Sequence, residues 1–134
     1  MKLSVTTTER DDVVVVKVAG EVDVYTAPQL RSALEEQIAA GRTKIVVDLG
    51  GVGFLDSTGL GVLVGRLKVL RRLDGWLGVV CTDERILRLF SITGLDQVLP
   101  VHDTVKAAVA ASGDGLPEPD AAAIRAVRSP TGTL

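Results

Sequence analysis

The tightest constraint on the fold is a junction between two apolar patterns of different period. Lys44-Ile45-Val46-Val47-Asp48-Leu49 is a nearly continuous aliphatic run bounded by Gly50-Gly51, as expected of a strand buried on both faces. Beyond it, Leu60, Leu63, Val64, Leu67 and Leu70 recur at three- and four-residue spacing, which lines one face of a helix. Between them stand Phe54-Leu55-Asp56-Ser57-Thr58-Gly59. Ser57 therefore falls where a strand's carboxyl end turns into a helix N-terminus. Unpaired backbone N–H groups and the positive end of the helix dipole favour an anion there. Such a serine either caps the helix or receives a phosphate, and spacing alone leaves both open.

The rest of the chain repeats the alternation. Residues 2–8 alternate Leu3 and Val5 with polar side chains, as an edge strand does, and Asp11-Asp12 turns into a second strand over 13–18. Residues 20–26 read as a loop, Thr26 as the cap of a helix, and Pro28 as a first-turn residue of that helix. Ala27, Leu30, Leu34 and Ile38 give this helix an apolar face, and Gly41 ends it. Asp74-Gly75 leads into a strand over 76–80; a helix from Thr82 or Asp83 buries Ile86, Leu87 and Phe90 and stops at Gly94. A short strand over 98–101 and an Asp103-capped helix carrying Val105, Ala108 and Val109 follow. The predicted fold class is α/β: an N-terminal antiparallel hairpin, then strands and helices alternating in a mixed, mostly parallel sheet.

At 134 residues the chain suits one domain. Residues 1–111 form it, and 112–134, which hold three of the five prolines, read as a flexible tail with at most a transient helix over 121–127. Hydrophobic residues make up 46 % but aromatics only 3 %, so the core is aliphatic and no stacking platform for single-stranded nucleic acid is expected. A net charge of −2 provides no basic footprint for nucleic acid. Arg66 and Lys68 interrupt the longest apolar stretch, no secretory signal precedes the first strand, and Cys81 has no cysteine to pair with. A cytoplasmic protein without a membrane span is expected, with Cys81 a small buried residue rather than a redox switch.

Parallel sheets carry their sites at the carboxyl ends of the strands. Asp23, after the second strand, and Asp56 with Ser57, after the third, share one rim if their strands are neighbours. The alternative is that both carboxylates merely satisfy loop N–H groups while Ser57 caps the helix. Catalysis by Ser57 is disfavoured: the single histidine, His102, precedes the last helix, and no G-x-S-x-G elbow exists. Gly59-Leu60-Gly61 is followed by Val64 where a dinucleotide fingerprint needs glycine, so nucleotide binding is weak; Gly61 and Gly65 instead suit close approach of the helix to the sheet. One histidine and one cysteine make neither a metal site nor a cofactor site. Glu21 and Tyr25 read as solvated loop residues, either of which could lie in an interface.

The combination Gly20-Glu21-Val22-Asp23, Thr26-Ala27 and Phe54-Leu55-Asp56-Ser57-Thr58-Gly59-Leu60-Gly61-Val62 resembles the bacterial anti-sigma factor antagonists, or anti-anti-sigma factors, which are single STAS domains. Glu84-Arg85-Ile86-Leu87 and Ile92-Thr93-Gly94-Leu95 extend the match, which covers about residues 1–110 and looks closest to actinobacterial members. The resemblance implies a STAS-type fold and a switch rather than an enzyme. It implies an anti-sigma factor with serine kinase activity as partner, a metal-dependent serine phosphatase as the reversing enzyme, and no direct contact with nucleic acid. Carried across, Ser57 is the phosphoacceptor with Thr58 the alternative, and Asp23, Asp56, Ser57, Thr58 and Gly59 belong to the partner surface. A STAS scaffold subunit of a signalling complex and a small-ligand or nucleotide-binding module are the alternatives; oligomeric state stays open.

Overall fold

The structure, a computed structural model, describes residues 3–114. β1 (Leu3–Arg10) and β2 (Val13–Val22) form the expected antiparallel hairpin, and Asp11 takes the left-handed conformation (φ 56°) that a short polar side chain tolerates. α1 (Ala27–Ala39), β3 (Lys44–Leu55), α2 (Ser57–Arg72), β4 (Trp76–Val80), α3 (Glu84–Thr93), β5 (Val101–His102) and α4 (Val105–Ala111) follow. The sheet runs in chain order β1-β2-β3-β4-β5, and every pairing after the hairpin is parallel.

The aliphatic runs are buried because helices cover both faces. Val14, Val16, Val18, Ile45, Val47 and Val79 point into the larger core with Leu30 and Leu34 of α1, Leu63 and Leu70 of α2, and Phe90 of α3. Val13, Val15, Val46, Trp76 and Val80 point the other way, against Ala108 of α4. Burying an aliphatic side chain of this size stabilises the fold by about 1.5–3 kcal/mol, so alternate residues of each central strand hold a different layer in place. Gly41 (φ 86°) and Gly94 (φ 77°) stop α1 and α3 as expected.

Four boundaries differ from expectation. β2 runs on through residues 20–22 instead of opening into a loop, and β3 passes through Gly50-Gly51 to Leu55. The two extensions pair with each other, Ala19 with Gly51 and Val22 with Leu55, through two register shifts. A Cβ at Gly51 would lie 2.9 Å from that of Ala19, so the glycine that looked like a terminator lets the strands continue side by side. The last strand is Val101–His102 rather than 98–101, because Leu95–Gln97 forms a 3₁₀ turn and the following Val98 and Leu99 are spent in the core. Thr104, not Asp103, caps α4, accepting from the Ala107 N–H at 3.1 Å.

Beyond α4, Ser112–Asp114 make a 3₁₀ turn in which the Ser112 hydroxyl donates to Val109 O at 2.6 Å. Residues 115–134, the remainder of the expected tail, lie outside the described residues. No helix among the described residues is long and apolar enough to cross a membrane.

Candidate phosphoacceptor rim and the family of the fold

Because β2 and β3 are parallel neighbours ending in register at Val22 and Leu55, the next residue of each, Asp23 and Asp56, emerges on the same rim. The Asp56 N–H donates to Val22 O at 3.1 Å and ties the two turns together. Asp56 is extended, and its Oδ1 accepts from Thr58 N at 2.9 Å and Gly59 N at 3.3 Å. Asp56 is therefore the helix cap, and the expectation that Ser57 might cap α2 is corrected. The reason is geometric: β3 ends one residue before Asp56, so Asp56 holds the half-in, half-out position a cap needs.

Ser57 is thereby released from a structural task. It is the first residue of α2 and is exposed, and no hydrogen bond from its side chain is formed among the described residues. Thr58 is half-buried, which sets the two hydroxyl residues apart by access. Gly59, expected on the partner surface, is buried. A Cβ there would collide with Leu55 Cδ1 and lie 2.7 Å from Val22 Cγ1, so this glycine lets the N-terminus of α2 sit directly on β2 and β3. Gly65, assigned that task from sequence, does not perform it: a Cβ there meets nothing within 4 Å.

The second turn of the rim is equally built. Asp23 Oδ1 accepts from Tyr25 N at 2.9 Å and Thr26 N at 3.0 Å, while Thr26 Oγ1 accepts from Asp23 N at 2.9 Å and donates to Glu21 O at 2.7 Å. Thr26 is buried in this knot and makes no cap bond to α1, contrary to the simple capping role. The Thr26 N–H first, then that of Tyr25, hold the Asp23 carboxyl below the usual carboxylate range, so it is charged at neutral pH. Glu21 is not a solvated loop residue: it lies in β2, half-buried, and its Oε2 is buried without a hydrogen-bond partner. Tyr25 is free in solvent at 88 % exposure, beside Val24 at 58 %.

Sequence reasoning missed the contribution of α3 beside the rim. Asp83, beyond the end of β4, caps α3 by accepting from Arg85 N at 2.8 Å, and its Oδ2 accepts from Arg85 Nη2 at 3.0 Å. The Arg85 side chain, then its backbone N–H, hold the Asp83 carboxyl below its ordinary value. The pattern of an aspartate two before an arginine at a strand end was visible in the sequence; that Arg85 lines one groove with Asp56 was not. Arg85, Ile86 and Leu89 of α3 face Gly53, Phe54, Leu55 and Asp56 across an open groove of about 420 Å³. Cys81 is buried at 1 % exposure, and desolvation pushes its thiol pKa up, the opposite of an activated thiolate. No cluster of three potential metal ligands occurs among the described residues.

The rim thus joins carboxylates that serve backbone N–H groups to one exposed hydroxyl at a helix start. The chain belongs to the STAS domain family, whose profile matches residues 4–108. It is 44 % identical over 103 residues to anti-sigma-B factor antagonists of Staphylococcus epidermidis and Staphylococcus aureus, a match covering 77 % of this chain and 95 % of theirs. Its structure resembles the crystal structure of an anti-sigma factor antagonist from Mycobacterium paratuberculosis, with a TM-score of 0.78, 34 % identity, and coverage of 84 % of this chain and 96 % of that one. The Bacillus cell fate determinant SpoIIAA, in its phosphorylated form, shares the fold at 23 % identity and a TM-score of 0.65, covering 80 % of this chain and 97 % of its own.

Proposed function

We propose that this chain is an anti-sigma factor antagonist: unphosphorylated, it binds an anti-sigma factor and so releases a sigma factor, and phosphorylation at Ser57 switches it off. One observation carries the site assignment. Asp56 does the capping, so the exposed Ser57 hydroxyl at the head of α2 has no task in the fold. The names of the relatives that match along nearly their whole length support the partner class. The chain acts by binding, in the cytoplasm where sigma factors work, and its chemistry is supplied by others.

In the modification step Ser57 Oγ attacks the γ-phosphorus of ATP held by the anti-sigma factor, whose kinase activity supplies the base that takes the hydroxyl proton. The bond to ADP breaks as the new P–O bond forms. A metal-dependent phosphatase later transfers the phosphoryl group to water. The phosphate adds about −1.5 to −2 charges, and the helix N-terminus accommodates it locally with a dipole term of about 0.3–1 kcal/mol. The domain therefore stays folded. Across the interface the same charge meets a surface fitted to a hydroxyl beside Asp56. Burying it unpaired costs several kcal/mol, enough to lower affinity by about a hundredfold or more.

The test is phosphopeptide mapping of the protein from its own host, together with phosphorylation in vitro of Ser57→Ala and Thr58→Ala by the anti-sigma factor. One phosphate on the peptide containing Ser57, lost in Ser57→Ala and kept in Thr58→Ala, is expected. Stoichiometric phosphorylation of Ser57→Ala would move the acceptor to another residue.

A further inference from the structure

Polar groups fix the shape of the rim but contribute little to its grip. Asp23 Oδ1 and Asp56 Oδ1 each already accept from two backbone N–H groups, and exposed ion pairs add little to a contact. Binding energy concentrates in a few packed anchors, with tyrosine prominent among them. The chain holds four aromatic residues. Trp76 and Phe90 are buried, one in each core. The other two, Tyr25 and Phe54, are exposed, and both stand where β2 and β3 end together: Tyr25 three residues beyond Val22, Phe54 one before its partner Leu55. Val24 adds a third exposed apolar side chain there. Among the described residues, the other exposed large apolar side chains are Leu73, just past the far end of α2, and Ile92 in α3. Tyr25 has no task in the fold: its side chain is the most exposed of the five and forms no hydrogen bond among the described residues. Its backbone is nevertheless pinned, since its N–H donates to Asp23 Oδ1 at 2.9 Å and the next residue, Thr26, is buried and bonded to both Asp23 and Glu21. A ring standing in solvent on a fixed backbone has only two side-chain torsions left to order, so little entropy is lost when a partner closes over it.

We propose that Tyr25 is the anchor by which the anti-sigma factor holds this chain, its ring entering an apolar socket on that partner. This rests on the reading of the chain as an anti-sigma factor antagonist and names where the affinity of that contact comes from. Val24 and Phe54 widen the apolar contact at the same strand ends. The labour is divided between two residues of one rim: Tyr25 supplies affinity, and Ser57 carries the group that controls it. The anchor is therefore needed for the kinase to hold its protein substrate and not for the phosphoryl transfer itself. Loss of an interaction made equally in the bound and the transition state raises KM and leaves kcat unchanged.

Tyr25→Ala, Tyr25→Phe and, as an exposed apolar control at the far end of α2, Leu73→Ala test this against wild type. Each is measured for melting temperature, mass in solution, calorimetric affinity to each purified anti-sigma factor kinase of the host, and steady-state kinetics of Ser57 phosphorylation. Tyr25→Ala should melt within about 2 °C of wild type, because surface substitutions leave stability nearly unchanged. Its affinity should fall about thirtyfold, the size of an interface hot spot, with KM raised by a similar factor and kcat unchanged. Tyr25→Phe, which keeps the ring, should lie within a few-fold of wild type, and Leu73→Ala should match it. Affinity of Tyr25→Ala within a few-fold of wild type overturns the proposal, and so does an equal loss in Leu73→Ala. A fall in kcat at constant KM overturns it too, since Tyr25 would then serve the transfer. A wild-type dimer that Tyr25→Ala turns into monomer, with kinase affinity unchanged, would assign the ring to a second copy instead. If wild type binds no anti-sigma factor of the host, the reading of function fails and this inference with it. Equally tight binding by wild type and Tyr25→Ala is a distinct pattern that removes this inference alone.

Discussion

Two glycines on one helix should respond with opposite signs to the same substitution. At Gly59, a Cβ would collide with Leu55 Cδ1 and approach Val22 Cγ1 to 2.7 Å and Val22 Cβ to 3.4 Å. The leucine tip can rotate away, but valine is β-branched and stiff at χ1, and Val22 is buried at 0 % exposure. Overpacking of this kind costs about 1–3 kcal/mol. The helix-propensity gain of alanine over glycine, up to about 1 kcal/mol in a helix interior, is smaller in the first turn. The net loss is about 1–2 kcal/mol, a fall of roughly 4–10 °C for a domain of this size. Gly65→Ala meets empty space mid-helix and should gain about 0.5–1 kcal/mol, a rise of roughly 2–4 °C. Urea unfolding with calorimetric melting of both variants measures the pair. If Gly59→Ala matched or exceeded wild type, the docking of α2 on β2 and β3 described above would be wrong. The consequence reaches the site, because the same contact positions Ser57 over the rim.

Other expectations follow from the rim. Asp56→Ala should cost about 0.5–2 kcal/mol in urea unfolding by removing the α2 cap, while Asp56→Asn, whose amide oxygen can accept the same N–H groups, should keep most of that stability. Asp23 and Asp83 both have lowered folded-state pKa values, so each stabilises the fold above the ordinary carboxylate value and loses that contribution as pH falls through the lowered one. A melting curve followed downward from about pH 4 should therefore be flatter in Asp23→Asn and Asp83→Asn than in wild type; equal acid slopes would remove these two groups from the account.

The hairpin, the strand–helix alternation and the apolar faces of α1, α2 and α3 were legible because burial writes its period directly into the chain. The rim was legible for a related reason: Asp23 and Asp56 each follow an aliphatic strand, and parallel order puts them together. What stayed hidden depended on partners distant in sequence. Gly50-Gly51 looks like a strand end until Ala19 is placed beside it. Asp56 and Ser57 are equally good caps on paper, and the choice was made by the Val22–Leu55 pairing that ends β3. Arg85 shares a groove with Asp56 although 28 positions separate them, an arrangement no local pattern records.

The central claim is that a phosphate on Ser57 changes binding without changing the fold. Titration calorimetry of the anti-sigma factor against unphosphorylated and singly Ser57-phosphorylated chain, with the melting temperature of each form measured alongside, tests it directly. The account predicts an affinity lower by about a hundredfold or more in the phosphorylated form and nearly coincident melting. Equal affinity for the two forms would contradict it.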